Sequence, residues 1–146
     1  MNGRPQRLPR AAFPLFRPIA TRWEDNDAYG HVNNVAYYSY FDTAINGWLV
    51  EEGHLSIATS PVIGLVAETG CIFFESVAFP DALEAGIRVQ NLGRSSIRYE
   101  IGIFRAEAEE AAAQGHFVHV MVERASGRPV PIPDALRAAL TSLCAR

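Results

Sequence analysis

TRWEDNDAYGHVNNVAYYSYFDTA, residues 21–44, changes character halfway along. The segment leading into it, Phe16 to Trp23, alternates Ile19, Thr21 and Trp23 against Ala20 and Arg22, a period of two that predicts a first strand. Glu24 to Asn34 is polar and rich in turn formers. Beyond it, Tyr37, Phe41, Ala44, Ile45 and Trp48 recur at offsets of three and four and form one apolar stripe. Ser39, Asp42, Thr43 and Asn46 fall on the opposite face, so the spacing predicts a long amphipathic helix. Asn33 or Asn34 suits its N-cap, and Gly53 stands where a C-terminal stop belongs.

From Pro61 onward the period is two. Pro61 to Phe79 is expected to be one strand that bends or bulges near Gly64 or Gly70. Pro80-Asp81 marks a turn, and Ile87 and Val89 mark the next strand. Asn91-Leu92-Gly93 turns the chain into a strand with Ile97, Tyr99, Ile101 and Ile103 on one face. EAEEAAAQG, residues 107–115, is expected as a polar connection, Val118, Val120 and Val122 as the last strand, and Asp134 as the cap of a short terminal helix. One strand, one long helix, four strands and a short helix suit a single helix lying in a curved antiparallel sheet. Such a helix covers only part of the sheet, and pairing of protomers would cover more.

The chain has 146 residues, a formal net charge of -3 and a hydrophobic fraction of 49%. That length suits one domain, and the charge argues against a nucleic-acid partner, which calls for a concentrated basic face. Cys71 and Cys144 make no CxxC or zinc pattern, which favours a reducing, cytoplasmic setting. No run is apolar enough to span a bilayer. Arg4, Arg7 and Arg10 are followed by a stretch broken at Pro14, Arg17 and Pro18, so no export signal develops. Residues 1–14 are expected to form a mobile arm, and residues 15–146 a single domain.

The loop between strand and helix carries the chemistry. A carboxylate there lies beside the free amides of a helix start, where the helix dipole favours negative charge. Such a place can hold a carbonyl oxygen as it becomes an oxyanion, and Gly30 lets a substrate approach the backbone closely. A base or nucleophile with fixed donors is the minimum apparatus for acyl transfer.

Arg22-Trp23-Glu24-Asp25-Asn26-Asp27, then Gly30-His31-Val32-Asn33-Asn34 and Tyr37, resembles the signature of the 4-hydroxybenzoyl-CoA thioesterase family. The likeness extends through the Pro80-Asp81 turn, the Leu92 to Ser96 turn and the RPVPIP loop, covering about residues 15–143. It implies a hotdog fold, α+β, with a curved antiparallel sheet of about five strands wrapped around one helix. It further implies hydrolysis of an acyl-CoA thioester, with coenzyme A entering as part of the substrate and no metal or other cofactor. The family's catalytic aspartate falls on Asp27, as nucleophile or general base, and its polarising backbone amide on Asn34. Gly30, His31, Val32 and Tyr37 fall in the substrate site. Arg94, Ser95 and Ser96 fall where the coenzyme A arm passes, with Arg94 or Arg128 meeting its phosphates. The site is implied to lie between protomers of a homodimer or homotetramer.

Other residues take plainer roles. Asp25 is expected to partner backbone or Arg22. His116 and His119, three apart on a strand, point to opposite faces and make a poor metal pair. Glu75 is expected to be solvated or at a protomer contact. Two other functions fit the same fold: a module that binds an acyl thioester without cleaving it, and a hydratase of enoyl or hydroxyacyl thioesters. The acid ahead of the helix, rather than on it, disfavours the hydratase.

Overall fold

A computed structural model describes residues 5–145. Its elements are β1 (Leu15–Ala20), α1 (Asn34–Glu51), β2 (Val62–Phe73), β3 (Ala82–Leu92), β4 (Ser96–Arg105), β5 (Ala113–Glu123) and α2 (Asp134–Thr141), with short 3-10 turns at Arg10–Ala12 and Trp23–Asp25. The strands form one sheet in the order β1-β3-β4-β5-β2, every neighbouring pair antiparallel. With α1 packed on it, this is the expected hotdog arrangement. No helix among the described residues is long and apolar enough to cross a membrane.

The predicted stripe is the buried face of α1: Tyr37, Phe41, Ala44, Ile45 and Trp48 are all buried, joined by Tyr40 and Leu49. They meet Ile87, Val89, Ile97, Tyr99, Ile101, Ile103, Phe117 and Met121 from the central strands. Fully burying each such side chain contributes about 1.5–3 kcal/mol. Close approach of helix to sheet depends on Gly115. A side chain there would press into the carbonyl oxygen of Gly70 and lie 2.5 Å from Phe41. Asn33 is the cap, its side chain accepting the Val35 N–H, and Gly53 follows the helix with φ +78°.

Several expected boundaries move. β1 stops at Ala20, because Trp23–Asp25 winds into a 3-10 turn instead of continuing the alternation. β2 stops at Phe73, and its irregularity lies between Val66 and Glu68. The stretch expected as a polar connection is half strand: β5 starts at Ala113, and Ala111 to Gly115 are buried. In β5 the residues on the helix side are Gly115, Phe117, His119 and Met121, so Val118 and Val120 belong to the half-buried outer face. Both faces of this strand are apolar, and its valines therefore do not reveal which one is inside. Asp134 is the first residue of α2 rather than its cap, and Pro133 occupies the cap position.

Within the expected mobile arm, Arg7, Leu8 and Arg10 hydrogen-bond to the connection between β4 and β5 and to the start of β5. The Leu8 N–H donates to Gln114 Oε1 at 3.0 Å, Arg7 Nε to the Ala111 carbonyl at 2.7 Å, and the Arg10 N–H to the Glu109 carbonyl at 2.7 Å. Phe13 is buried against Phe104 and Ala111 in a second apolar cluster. Residues 1–4 of that arm lie outside the described residues.

Candidate active site

The loop between β1 and α1 is built on Asp25, which is only 3% exposed. Its Oδ2 accepts the Arg22 N–H at 2.9 Å and the Tyr40 hydroxyl at 2.7 Å, and its Oδ1 accepts Arg22 Nη2 at 2.9 Å. Burial alone would raise the carboxyl. The Tyr40 hydroxyl and the Arg22 amide and guanidinium outweigh it and hold Asp25 below its ordinary range. The Asp25 carbonyl accepts the Asn33 N–H at 2.8 Å, fastening the loop to the helix start. Asp25 thus has the structural role expected of it, bound to backbone and Arg22 together.

Asp27 sits in the tight turn that follows. Its N–H donates to the His31 carbonyl at 2.8 Å, and its carbonyl accepts the Gly30 N–H at 3.1 Å. Gly30 has φ +79°, a left-handed geometry that strains other residues, and a Cβ built there meets nothing within 4 Å. Asp27 Oδ1 accepts the Tyr29 N–H at 2.8 Å and, more loosely, the His31 N–H at 3.4 Å. Asp27 Oδ2 has no partner among the described residues. In the first turn of α1, Asn33 caps the Val35 N–H through its side chain and the Ala36 N–H through its carbonyl. The Asn34 N–H is left without a partner among the described residues.

A cavity of about 380 Å³ joins these groups, lined by Asp27, His31, Val32, Asn34 and Tyr37, by Phe73 at the end of β2, and by Phe74, Glu75 and Ser76 just after it. Its two walls are stitched together: the Val32 N–H donates to the Val77 carbonyl at 2.8 Å, and the Phe79 N–H to Asn26 Oδ1 at 3.0 Å. Tyr37 packs edge-on against Phe73 at 5.0 Å, and burial pushes its hydroxyl up to about 12, so it stays protonated. The arrangement offers a carboxylate oxygen, a backbone donor and an apolar wall around one space, the elements of acyl transfer.

Of the residues expected to bind substrate, the fold gathers His31, Val32 and Tyr37 around Asp27 and Asn34, with Gly30 shaping the loop. Arg94, Ser95 and Ser96 are elsewhere. Ser96 pairs with Val120, which faces Leu65, whereas the cavity lies at Phe73, eight residues further along β2 and roughly 25 Å away. Arg94 is exposed, and its carbonyl accepts the Ile132 N–H at 2.9 Å. Glu75 is exposed to solvent, as expected, but it is not free. It bonds Arg7 at 3.0 Å and Arg105, and it lines the cavity. Nothing in the spacing marks this, because both arginines are distant in sequence. His116 and His119 do point to opposite faces: His116 bonds Glu68 at 2.8 Å on the outer face, while His119 is buried beside Tyr99. No group of three or more His, Cys, Asp or Glu among the described residues could hold a metal ion.

The chain is similar to known proteins over most of its length. The family model of the thioesterase-like superfamily matches residues 21–140. The chain is 53% identical to the PA5185 protein of Pseudomonas aeruginosa, whose crystal structure superposes with a TM-score of 0.93 over 96% of this chain and 98% of that one. A thioesterase from Thermus thermophilus, crystallised with coenzyme A and zinc, is 32% identical with a TM-score of 0.71 over 90% of this chain and 95% of that one. Protein YsmA of Bacillus subtilis is 24% identical over 125 residues, 86% of this chain and 84% of its own.

Proposed function

The chain belongs to the thioesterase-like superfamily, and from that premise we propose that it hydrolyses an acyl-CoA thioester to a carboxylic acid and free coenzyme A, with Asp27 as the reacting carboxylate. One observation carries the proposal. Asp27 Oδ1 is held by turn amides, Oδ2 is unpartnered among the described residues, and the open Asn34 N–H borders the same cavity.

On the nucleophilic route, Asp27 Oδ2 attacks the thioester carbon and the carbonyl oxygen becomes an oxyanion that the Asn34 N–H stabilises. Collapse breaks the C–S bond. The thiolate leaves and takes a proton from water, and water then cleaves the acyl-aspartyl anhydride to the acid and free Asp27. On the general-base route, Asp27 takes the proton of a water that attacks the same carbon, and the oxyanion meets the same donor. Its collapse breaks the C–S bond as the departing sulfur takes the proton from Asp27. One such donor supplies about 3 kcal/mol of transition-state stabilisation. The coenzyme A in the related Thermus thermophilus thioesterase supports coenzyme A as the carrier.

The working unit is proposed to be a homodimer or a larger homo-oligomer. Supporting this, β2 is a long edge strand carrying exposed Leu65, Val66 and Phe73, a surface suited to pairing with a second copy. Antiparallel pairing of two β2 edges would carry the partner's turn at positions 94–96 toward the cavity end of the first copy, which suits a role for that turn in holding coenzyme A. Thiol release measured on acetyl-, hexanoyl-, palmitoyl- and benzoyl-CoA tests the function. Turnover of at least one is expected, and binding without release on every one would make the chain a binding module instead.

A further inference from the structure

Two guanidinium groups converge on one point in the wall of the Asp27 cavity. Arg7 Nη2 lies 3.0 Å from Glu75 Oε2, and Arg105 Nη1 bonds Glu75 Oε1. Each guanidinium is also anchored independently of Glu75. Arg7 Nε donates to the Ala111 carbonyl at 2.7 Å, and Arg105 Nη2 donates to the Ser76 carbonyl while its Nε lies 3.7 Å from Asp81. Glu75 itself is held by its backbone, its N–H donating to the Ala112 carbonyl at 3.0 Å. Two fixed guanidinium forks aimed at one carboxylate are the usual apparatus for recognising a carboxylate ligand. Here the chain's own side chain fills that place.

The geometry points to Glu75 as the specificity-determining residue of the cavity: it occupies a ready-made carboxylate site and so restricts the enzyme to thioesters whose acyl group ends without a negative charge. This deepens the proposed thioesterase function and rests on it. The cavity volume of about 380 Å³ corresponds to a sphere roughly 9 Å across, so a short acyl chain anchored at Asp27 reaches the Glu75 wall. The charged side chains that line it, Asp27 and Glu75, are both acidic, since Arg7 and Arg105 lie behind Glu75 rather than on the lining. A second carboxylate entering with the substrate would meet like charge and find both guanidinium groups engaged. Arg7 hydrogen-bonds Glu75 and holds it below its ordinary carboxyl range, so the occupant stays ionised through the neutral range. Removing the Glu75 carboxylate would leave the two anchored arginines open to the cavity.

The test uses matched thioesters differing only in a terminal methyl or carboxylate: butyryl- against succinyl-CoA, and hexanoyl- against adipoyl-CoA. Thiol release is followed for the native protein, Glu75→Ala and Glu75→Gln, each checked for a cooperative melt. The native protein is expected to favour the methyl-ended member by about tenfold or more in kcat/KM, and Glu75→Ala to shift that ratio toward the carboxylate-ended member by about tenfold. Glu75→Gln, which keeps the bulk but not the charge, is expected to shift it less. Equal use of both members by the native protein, or an unchanged ratio in a folded Glu75→Ala protein, overturns the role of Glu75. Absence of turnover on these pairs and on every other thioester tried overturns the thioesterase function beneath it, a distinct result.

Discussion

His119 makes the stability of this fold depend on pH in a window of its own. The ring is 1% exposed, and among the described residues neither its Nδ1 nor the hydroxyl of its ring neighbour Tyr99 has a hydrogen-bond partner. Burial pushes its pKa down from 6.5 to about 4, so the folded state holds the neutral ring while the unfolded chain takes a proton below 6.5. The sign follows. His119 costs no stability above pH 6.5, and stability falls as pH drops from 6.5 toward 4 because the unfolded state binds more protons. At 1.36 kcal/mol per unit, the loss between pH 6.5 and 4.5 is about 2–3 kcal/mol. Asp25 and Glu75, held below their unfolded values of 3.8 and 4.5, lose their contributions only in more acidic solution. The perturbation is His119→Phe, which keeps an aromatic ring and removes the titration. Urea unfolding followed by tryptophan fluorescence at half-unit pH steps, at one protomer concentration, gives the free energy of each protein. The native protein is expected to slope across the window and His119→Phe to lie nearly flat. Identical slopes in the two proteins would refute the assignment.

Three further outcomes are expected. Tyr40→Phe removes a 2.7 Å hydrogen bond to the buried Asp25 carboxylate and should cost about 2 kcal/mol in a thermal or urea melt; an unchanged midpoint would mean that Asp25 is satisfied without it. Gly115→Ala forces a methyl group against Phe41 and should destabilise by about 1–3 kcal/mol or more, measured the same way. Arg94→Ala should raise KM for an acyl-CoA about fivefold while leaving KM for the matching acyl-pantetheine unchanged, if its exposed guanidinium meets coenzyme A phosphates. Equal losses on both substrates would remove it from phosphate recognition.

The helix and the loop ahead of it were legible because their signals are local. Tyr37, Phe41, Ala44, Ile45 and Trp48 state a helical period, and Asn33 and Gly53 bracket it within hydrogen-bonding reach. Where the sequence misled, the deciding contact came from far along the chain. Ala111 to Ala113 look like filler in an acidic connection, yet all three are buried, Ala111 beside Phe13 of the arm and Ala112 and Ala113 in the main core. Val118, Val120 and Val122 do mark the last strand, but they say nothing of its faces, and the position of α1 decides that Phe117 and Met121 are inside. Glu75 reads as an ordinary surface acid, since β1, α1 and β2 separate it from Arg7, and β3 and β4 separate it from Arg105. Arg94 to Ser96 suit a coenzyme A site in sequence, but the register of β2, β4 and β5 sets them at the far end of the sheet within one protomer.

The most direct measurement is thiol release by Asp27→Asn, run beside the native protein on whichever acyl-CoA the latter turns over fastest. Oδ1 can still accept the turn amides in the variant, so the loop and the melting temperature should hold, while kcat drops by about 10²–10⁴ with KM little changed. Native-like turnover by a folded Asp27→Asn protein would contradict the assignment of this carboxylate and send the search for the reacting group elsewhere in the cavity.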